Sequence, residues 1–167
     1  MTPTRKDANA QAAVRIFIQG VPAAQPRARS TRNGIHYTDP KSPVHGWRER
    51  IALAVMGIEP IAHPVRIDWM AVMPRPRSHW KKDGTLTKGA PRLHTSKPDR
   101  DNLDKSLLDQ LTASGVLIDD KAVTRGELHK RWQRTPDEPV GMFVQITMAD
   151  NADAAWVSEI RRAKEGV

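Results

Sequence analysis

A chain of 167 residues is long enough for one domain with a real core and too short for two comfortable ones. With 27 Lys and Arg against 19 Asp and Glu, its formal charge is +8 and its isoelectric point about 10.2, so a polyanion is the default partner. The absence of cysteine excludes disulfides, thiolate metal sites and a cysteine nucleophile, and no window approaches the roughly 20 apolar residues that cross a bilayer. Cytoplasmic residence is the matching expectation.

Residues 1–12 are polar and read as a disordered tail ahead of one domain over 13–150. Val14–Gln19 is predicted as the first strand, closed by Gly20-Val-Pro22. The stretch Gln25 to Arg32 concentrates Arg27, Arg29 and Arg32 beside a tight turn at Asn33-Gly34, and is either a solvated basic loop or a set of phosphate contacts. A helix is predicted from Ser42 to Met56, packing on a sheet through Trp47, Ile51, Leu53 and Val55. In Pro64–Met73 the alternation of Val65, Ile67, Trp69, Ala71 and Met73 predicts a strand with Arg66 and Asp68 on its other face.

Residues 74–98 carry no periodic apolar pattern and read as a long basic loop. Arg75, Arg77, Lys81, Lys82, Lys88, Arg92 and Lys97 face Asp83 alone, a net +6 expected to track a nucleic-acid backbone. His79 and Trp80 stack on an unpaired base in one reading; in the simpler one Trp80 anchors the loop to the domain. The six histidines show no zinc-ligand spacing.

The chemistry concentrates in Lys97-Pro-Asp-Arg-Asp-Asn-Leu-Asp-Lys105 and Asp119-Asp120. Pro98 fits just before a helix start, so Asp99 and Asp101 flank the beginning of a helix that runs toward Ser114. Leu103, Leu107, Leu108 and Leu111 follow helical spacing, while Asp101, Lys105 and Asp109 fall on another face. After Ser114-Gly115, the short apolar run Val116-Leu-Ile returns two acids toward the helix start. Asp99, Asp101 and one of Asp119 or Asp120 offer the oxygen set that a hard cation such as Mg²⁺ takes, and Lys105 stands one turn after Asp101 to meet a phosphate. The bland alternatives are a helix cap, an ordinary Asp-Asp turn, and pairing of Lys105 with Asp101 or Asp109. The combination points to metal-assisted phosphodiester hydrolysis.

Val123 to Arg134 and Val140 to Met148 are predicted as an antiparallel pair of strands joined across Thr135–Pro139. Residues 151–167 read as a C-terminal helix with Trp156, Val157 and Ile160 on one stripe. The expected fold is α+β, a mixed sheet with packed helices in the order β-α-β-loop-α-β-β-α.

The motifs D-R-D-N-L-D-K, L-D-Q-L-T-A-S-G and V-L-I-D-D-K-A-V resemble those of the RusA family of Holliday-junction resolvases, small dimeric endonucleases of phages and prophages. The resemblance is strong over Lys97 to Val123 and extends more weakly through Gly20-Val-Pro22 and the final strands. It places the family's metal-binding aspartates on Asp99, Asp101 and Asp120 and its catalytic lysine on Lys105. Asp120 stands 21 positions after Asp99, as in the family, with Asp119 as a neighbouring candidate ligand. What the resemblance implies is a Mg²⁺-dependent homodimer, with Mn²⁺ as the alternative cation, that cuts four-way junctions in a bacterial host and associates with its nucleoid when bound to DNA. Two other readings remain: a catalytically silent DNA-binding or phage regulatory protein of the same fold, and a nuclease for other branched DNA.

Overall fold

The computed structural model describes residues 13–149 except 27, 28, 31, 32, 34 and 35, with the backbone alone at 29, 30, 36 and 37. The tail at 1–12, the helix expected over 151–167, Arg27, Arg32 and the Gly34 half of the tight turn lie outside the described residues, as does the side chain of Arg29.

The described elements run β1 (Val14–Gln19), β2 (Arg29–Ser30), β3 (His36–Tyr37), α1 (Val44–Ala54), β4 (Val65–Met73), α2 (Arg100–Ala113), β5 (Val123–Arg125), β6 (Leu128–Trp132) and β7 (Gly141–Met148). They form the expected α+β arrangement. A mixed five-stranded sheet has β7 between β1 and β4, antiparallel to both, while β5 and β6 follow one another in parallel along the far edge of β4. The β2–β3 pair is a separate small hairpin inside what reads from sequence as a loop.

The alternation in β4 survives in three dimensions: Val65, Ile67, Trp69, Ala71 and Met73 are all buried, while Arg66 and Asp68 pair on the opposite face with Arg66 Nε 2.8 Å from Asp68 Oδ2. Trp47, Ile51 and Val55 of α1 and its C-terminal flank, and Leu103, Leu107 and Leu111 of α2, close over the inward row to form one core. Full burial of a leucine side chain contributes roughly 1.5–3 kcal/mol, so these three leucines alone justify the helix at this place. Leu53 is not a packing residue. It is 67% exposed, because it falls a half-turn from Ile51 on the outer side of α1.

The structure corrects the end of the chain. Residues 123–134 are two strands, and neither pairs with β7. β6 and β7 flank β4 on opposite sides, so 133–140 is a crossover rather than a hairpin turn. The break falls at Gly126, where a Cβ would overlap the Ile67 carbonyl oxygen. There Asp68 Oδ1 takes the backbone N–H of Glu127 at 2.7 Å in place of a strand partner. The crossover is pinned by Glu138, whose carboxylate accepts two bonds from the Arg131 guanidinium at 2.7 and 2.9 Å. Those bonds hold the Glu138 carboxyl below its ordinary range. Of the apolar run after α2, Val116 and Leu117 are buried, Leu117 bridging to Ile61, but Ile118 is 67% exposed. No helix among the described residues is long and apolar enough to cross a membrane.

Candidate active site

α2 starts where Pro98 ends the extended entry, the Lys97–Pro98 peptide bond being cis. Asp99 is the N-cap residue, yet its carboxylate accepts no capping hydrogen bond. Asp101 follows in the first turn. Both side chains are exposed and carry no hydrogen bond or ion pair among the described residues. An Asp at this position ordinarily satisfies a free helix N–H. Here the oxygens remain uncommitted, beside the positive end of the helix dipole.

Asp119 and Asp120 differ from each other. Asp119 caps the short 3₁₀ turn Asp120–Ala122, accepting the Lys121 N–H at 3.0 Å and pairing with the Lys121 ammonium at 2.8 Å. The hydrogen bond from Lys121 pulls its carboxyl below the ordinary range. Asp120 is exposed, and its turn packs against α2. Asp120 shares with Asp104 a cleft of about 240 Å³, lined also by Ile67, Leu108 and Thr124.

Sequence reasoning passed over Asp104. Its carboxylate accepts the Trp69 indole N–H at 2.7 Å, which ties the second turn of α2 to the central strand. Its position three residues after Asp101 was the available sign; its donor, 35 residues away in β4, was not visible. Lys105 is 59% exposed and pairs with Asp109 at 3.2 Å, the i,i+4 contact that was its structural alternative.

Among the described residues no three His, Asp or Glu side chains stand close enough to cage a metal ion. The donor types nonetheless fit a hard divalent cation: Asp99, Asp101 and Asp120 are all-oxygen ligands, the first two unengaged, on two elements in contact with each other.

The basic stretch is folded, not structureless. It contains a 3₁₀ turn at Arg77–His79 and a bridge between Trp80 and Leu86. Arg75 departs from the expected DNA-facing role: it is only 9% exposed, and its guanidinium donates to the carbonyls of Gln133 at 3.0 Å and Pro91 at 2.8 Å. The same group lies 5.7 Å from the Trp80 ring and 5.6 Å from the Trp132 ring, so Trp80 anchors the segment. Arg77, Lys81, Lys82, Lys88, Arg92 and Lys97 remain exposed. The approach to the Arg-rich hairpin also touches the helix: Gln25 N–H donates to Asn102 O at 2.9 Å, and Ser106 Oγ lies 2.8 Å from the Ala23 carbonyl.

The pattern of one protein family, described as endodeoxyribonuclease RusA, matches residues 19–151. The chain belongs to the RusA family. The match spans the sheet from the end of β1 through β7 and includes every acid and lysine described above, in agreement with the motif resemblance. It identifies an endodeoxyribonuclease family, for which a strongly basic surface beside a set of acids is the expected chemistry. No curated protein matched the chain.

Proposed function

We propose that this RusA-family chain resolves four-way DNA junctions by paired, metal-dependent phosphodiester cleavage as a homodimer. The observation that carries the reading is the pair of uncommitted carboxylates, Asp99 and Asp101, at the start of α2, the helix against which the turn bearing Asp120 packs. These three residues would hold a Mg²⁺ or Mn²⁺ ion, which when bound would stabilise charge on the phosphoryl oxygens and lower the pKa of its bound water.

The protein's own groups account for the rest. The exposed cations from Arg77 to Lys97 hold the strand by its phosphates, and Arg27, Arg29 and Arg32 add further phosphate contacts. Lys105 leaves Asp109 for the scissile phosphate and offsets the charge that grows there as the P–O bond breaks. Dimerisation rests on the family resemblance and on the symmetry of the reaction, since two related cuts call for two related sites.

Incubation with a synthetic four-way junction, a flap, a fork and a matched duplex, with and without Mg²⁺, tests the proposal. Symmetric nicks in the junction alone, and only with the cation, are expected. Binding without cutting under every divalent cation assigns a silent DNA-binding role. Equal cutting of flaps or forks assigns a general branched-DNA nuclease.

A further inference from the structure

The edge strand β6 reaches across to the stretch that enters α2. Lys130 Nζ donates to the backbone carbonyls of Ser96 and Pro98, each at 2.8 Å, residues 34 and 32 positions earlier in the chain. Trp132, two positions on and therefore on the same face of the strand, donates its indole N–H to Leu93 O at 3.1 Å. The Trp132 ring lies 4.0 Å from that of His94, which is 6% exposed.

Lys130 and Trp132 are in register with Ala71 and Met73, whose side chains are buried in the core under the helices, so both project on the helix-covered side. α2 itself touches β6. Residues 93–98 are thereby buckled to the sheet edge at three points, the last of them the carbonyl directly preceding Asp99. One turn further along, Trp69 grips Asp104 from the neighbouring strand.

We infer that Lys130 is a positioning residue for DNA cleavage: by tying the Ser96 and Pro98 carbonyls to β6, it sets the direction in which Asp99 and Asp101 leave the start of α2. The inference rests on the metal-site reading above. Within 93–98 only His94 is buried, and the segment contributes no apolar side chain to the core, so its last residues before Asp99 are held from outside. A half-buried ammonium with two main-chain carbonyls on it is committed to the protein, unlike the exposed lysines that are free to meet phosphate.

The test uses the full chain with Lys130→Met, which keeps the length and removes the donors, and Lys130→Arg, which restores them. Three readouts are taken: single-turnover cleavage at saturating junction across a Mg²⁺ titration, Mn²⁺ binding by electron paramagnetic resonance, and metal-free junction affinity by gel shift. Lys130→Met should slow saturated cleavage and weaken Mn²⁺ binding by about 10–100-fold, the usual cost of losing support behind a ligand, with metal-free junction affinity unchanged. Lys130→Arg should recover most of both losses. A wild-type rate and Mg²⁺ midpoint in Lys130→Met overturn the inference, as does a defect confined to junction affinity, which would make Lys130 a phosphate contact.

Should Lys130→Met fail to fold, Lys130→Gln, polar but too short to reach both the Ser96 and Pro98 carbonyls, takes its place. An unchanged Mg²⁺ midpoint in that variant overturns the inference equally. Asp101→Asn run alongside separates the two levels of the argument. If it and the matching Asp99→Asn and Asp120→Asn variants cut normally, the metal-site reading itself has failed; if they are inactive while Lys130→Met is normal, only the positioning role has.

Discussion

α2 and the stretch that leads into it are neighbours in sequence and opposites in how they are held. The helix seats itself by repetition: Leu103, Leu107 and Leu111 are fully buried on one stripe, and no single directional bond decides its place. Residues 74–98 have no such stripe, and depend on a few long side chains, Arg75 and Trp80 within and Lys130, Trp132 and Gln133 from β6 and its flank. Non-directional burial tolerates exchange of like-sized apolar groups, whereas a clamp of hydrogen bonds fails donor by donor. The uncommitted acids sit at the junction of the two regimes.

The largest effect should come from that junction. Asp99→Asn, Asp101→Asn and Asp120→Asn are each expected to abolish cutting of a four-way junction while leaving junction binding and the folded circular dichroism spectrum intact. Wild-type cleavage by all three would remove the metal site from the reading. Next, Lys105→Ala should lower the single-turnover rate by about 10²–10³, the range for loss of one charge-stabilising donor. An unaltered rate leaves Lys105 as the surface partner of Asp109.

Denaturant melts of two variants separate the two ways of holding the chain. Leu107→Ala, which opens a cavity under α2, should cost about 2–5 kcal/mol. Arg75→Ala, which strips donors from the Gln133 and Pro91 carbonyls, should cost less, about 1–3 kcal/mol. Equal losses would mean that the basic stretch is as much a part of the core as the helix. On the exposed side, Lys81→Ala with Lys82→Ala should leave stability unchanged and flatten the slope of log affinity against log salt by about 0.9 per lost phosphate contact. No change in slope would make those lysines a solvated surface.

The smallest expected effect is a pH dependence at the buckle. Burial, aided by the nearby Lys130 charge, holds the His94 imidazole below its ordinary value of 6.5. The unfolded chain therefore takes up this proton before the folded one does. His94's share of stability is complete above pH 6.5 and is lost as the pH falls from there toward the lowered folded-state value. Melting temperatures of His94→Gln should decline less than wild type between neutral and mildly acidic pH; parallel curves would remove His94 from the account.

What the amino-acid order determined by itself was whatever repeats or clusters locally. The period-two row of β4 and the period-3.6 leucines of α2 were legible because each is encoded within a dozen residues, and the α+β class followed from the order of such segments. So was the acid and lysine motif, whose assignment to the RusA family the match over 19–151 upheld. Only the tertiary structure decided the rest. β5 and β6 went to the far edge of β4 rather than to β7, since a strand's partner is chosen by the whole sheet and not by the turn beside it. Arg75, indistinguishable in sequence from the six exposed cations around it, was taken inside by carbonyls at Pro91 and Gln133. Asp104 and Lys130 drew their roles from donors and acceptors 35, 34 and 32 residues away. Contacts at that separation leave no trace in local spacing, because they are made by chain segments that only the folded sheet brings together.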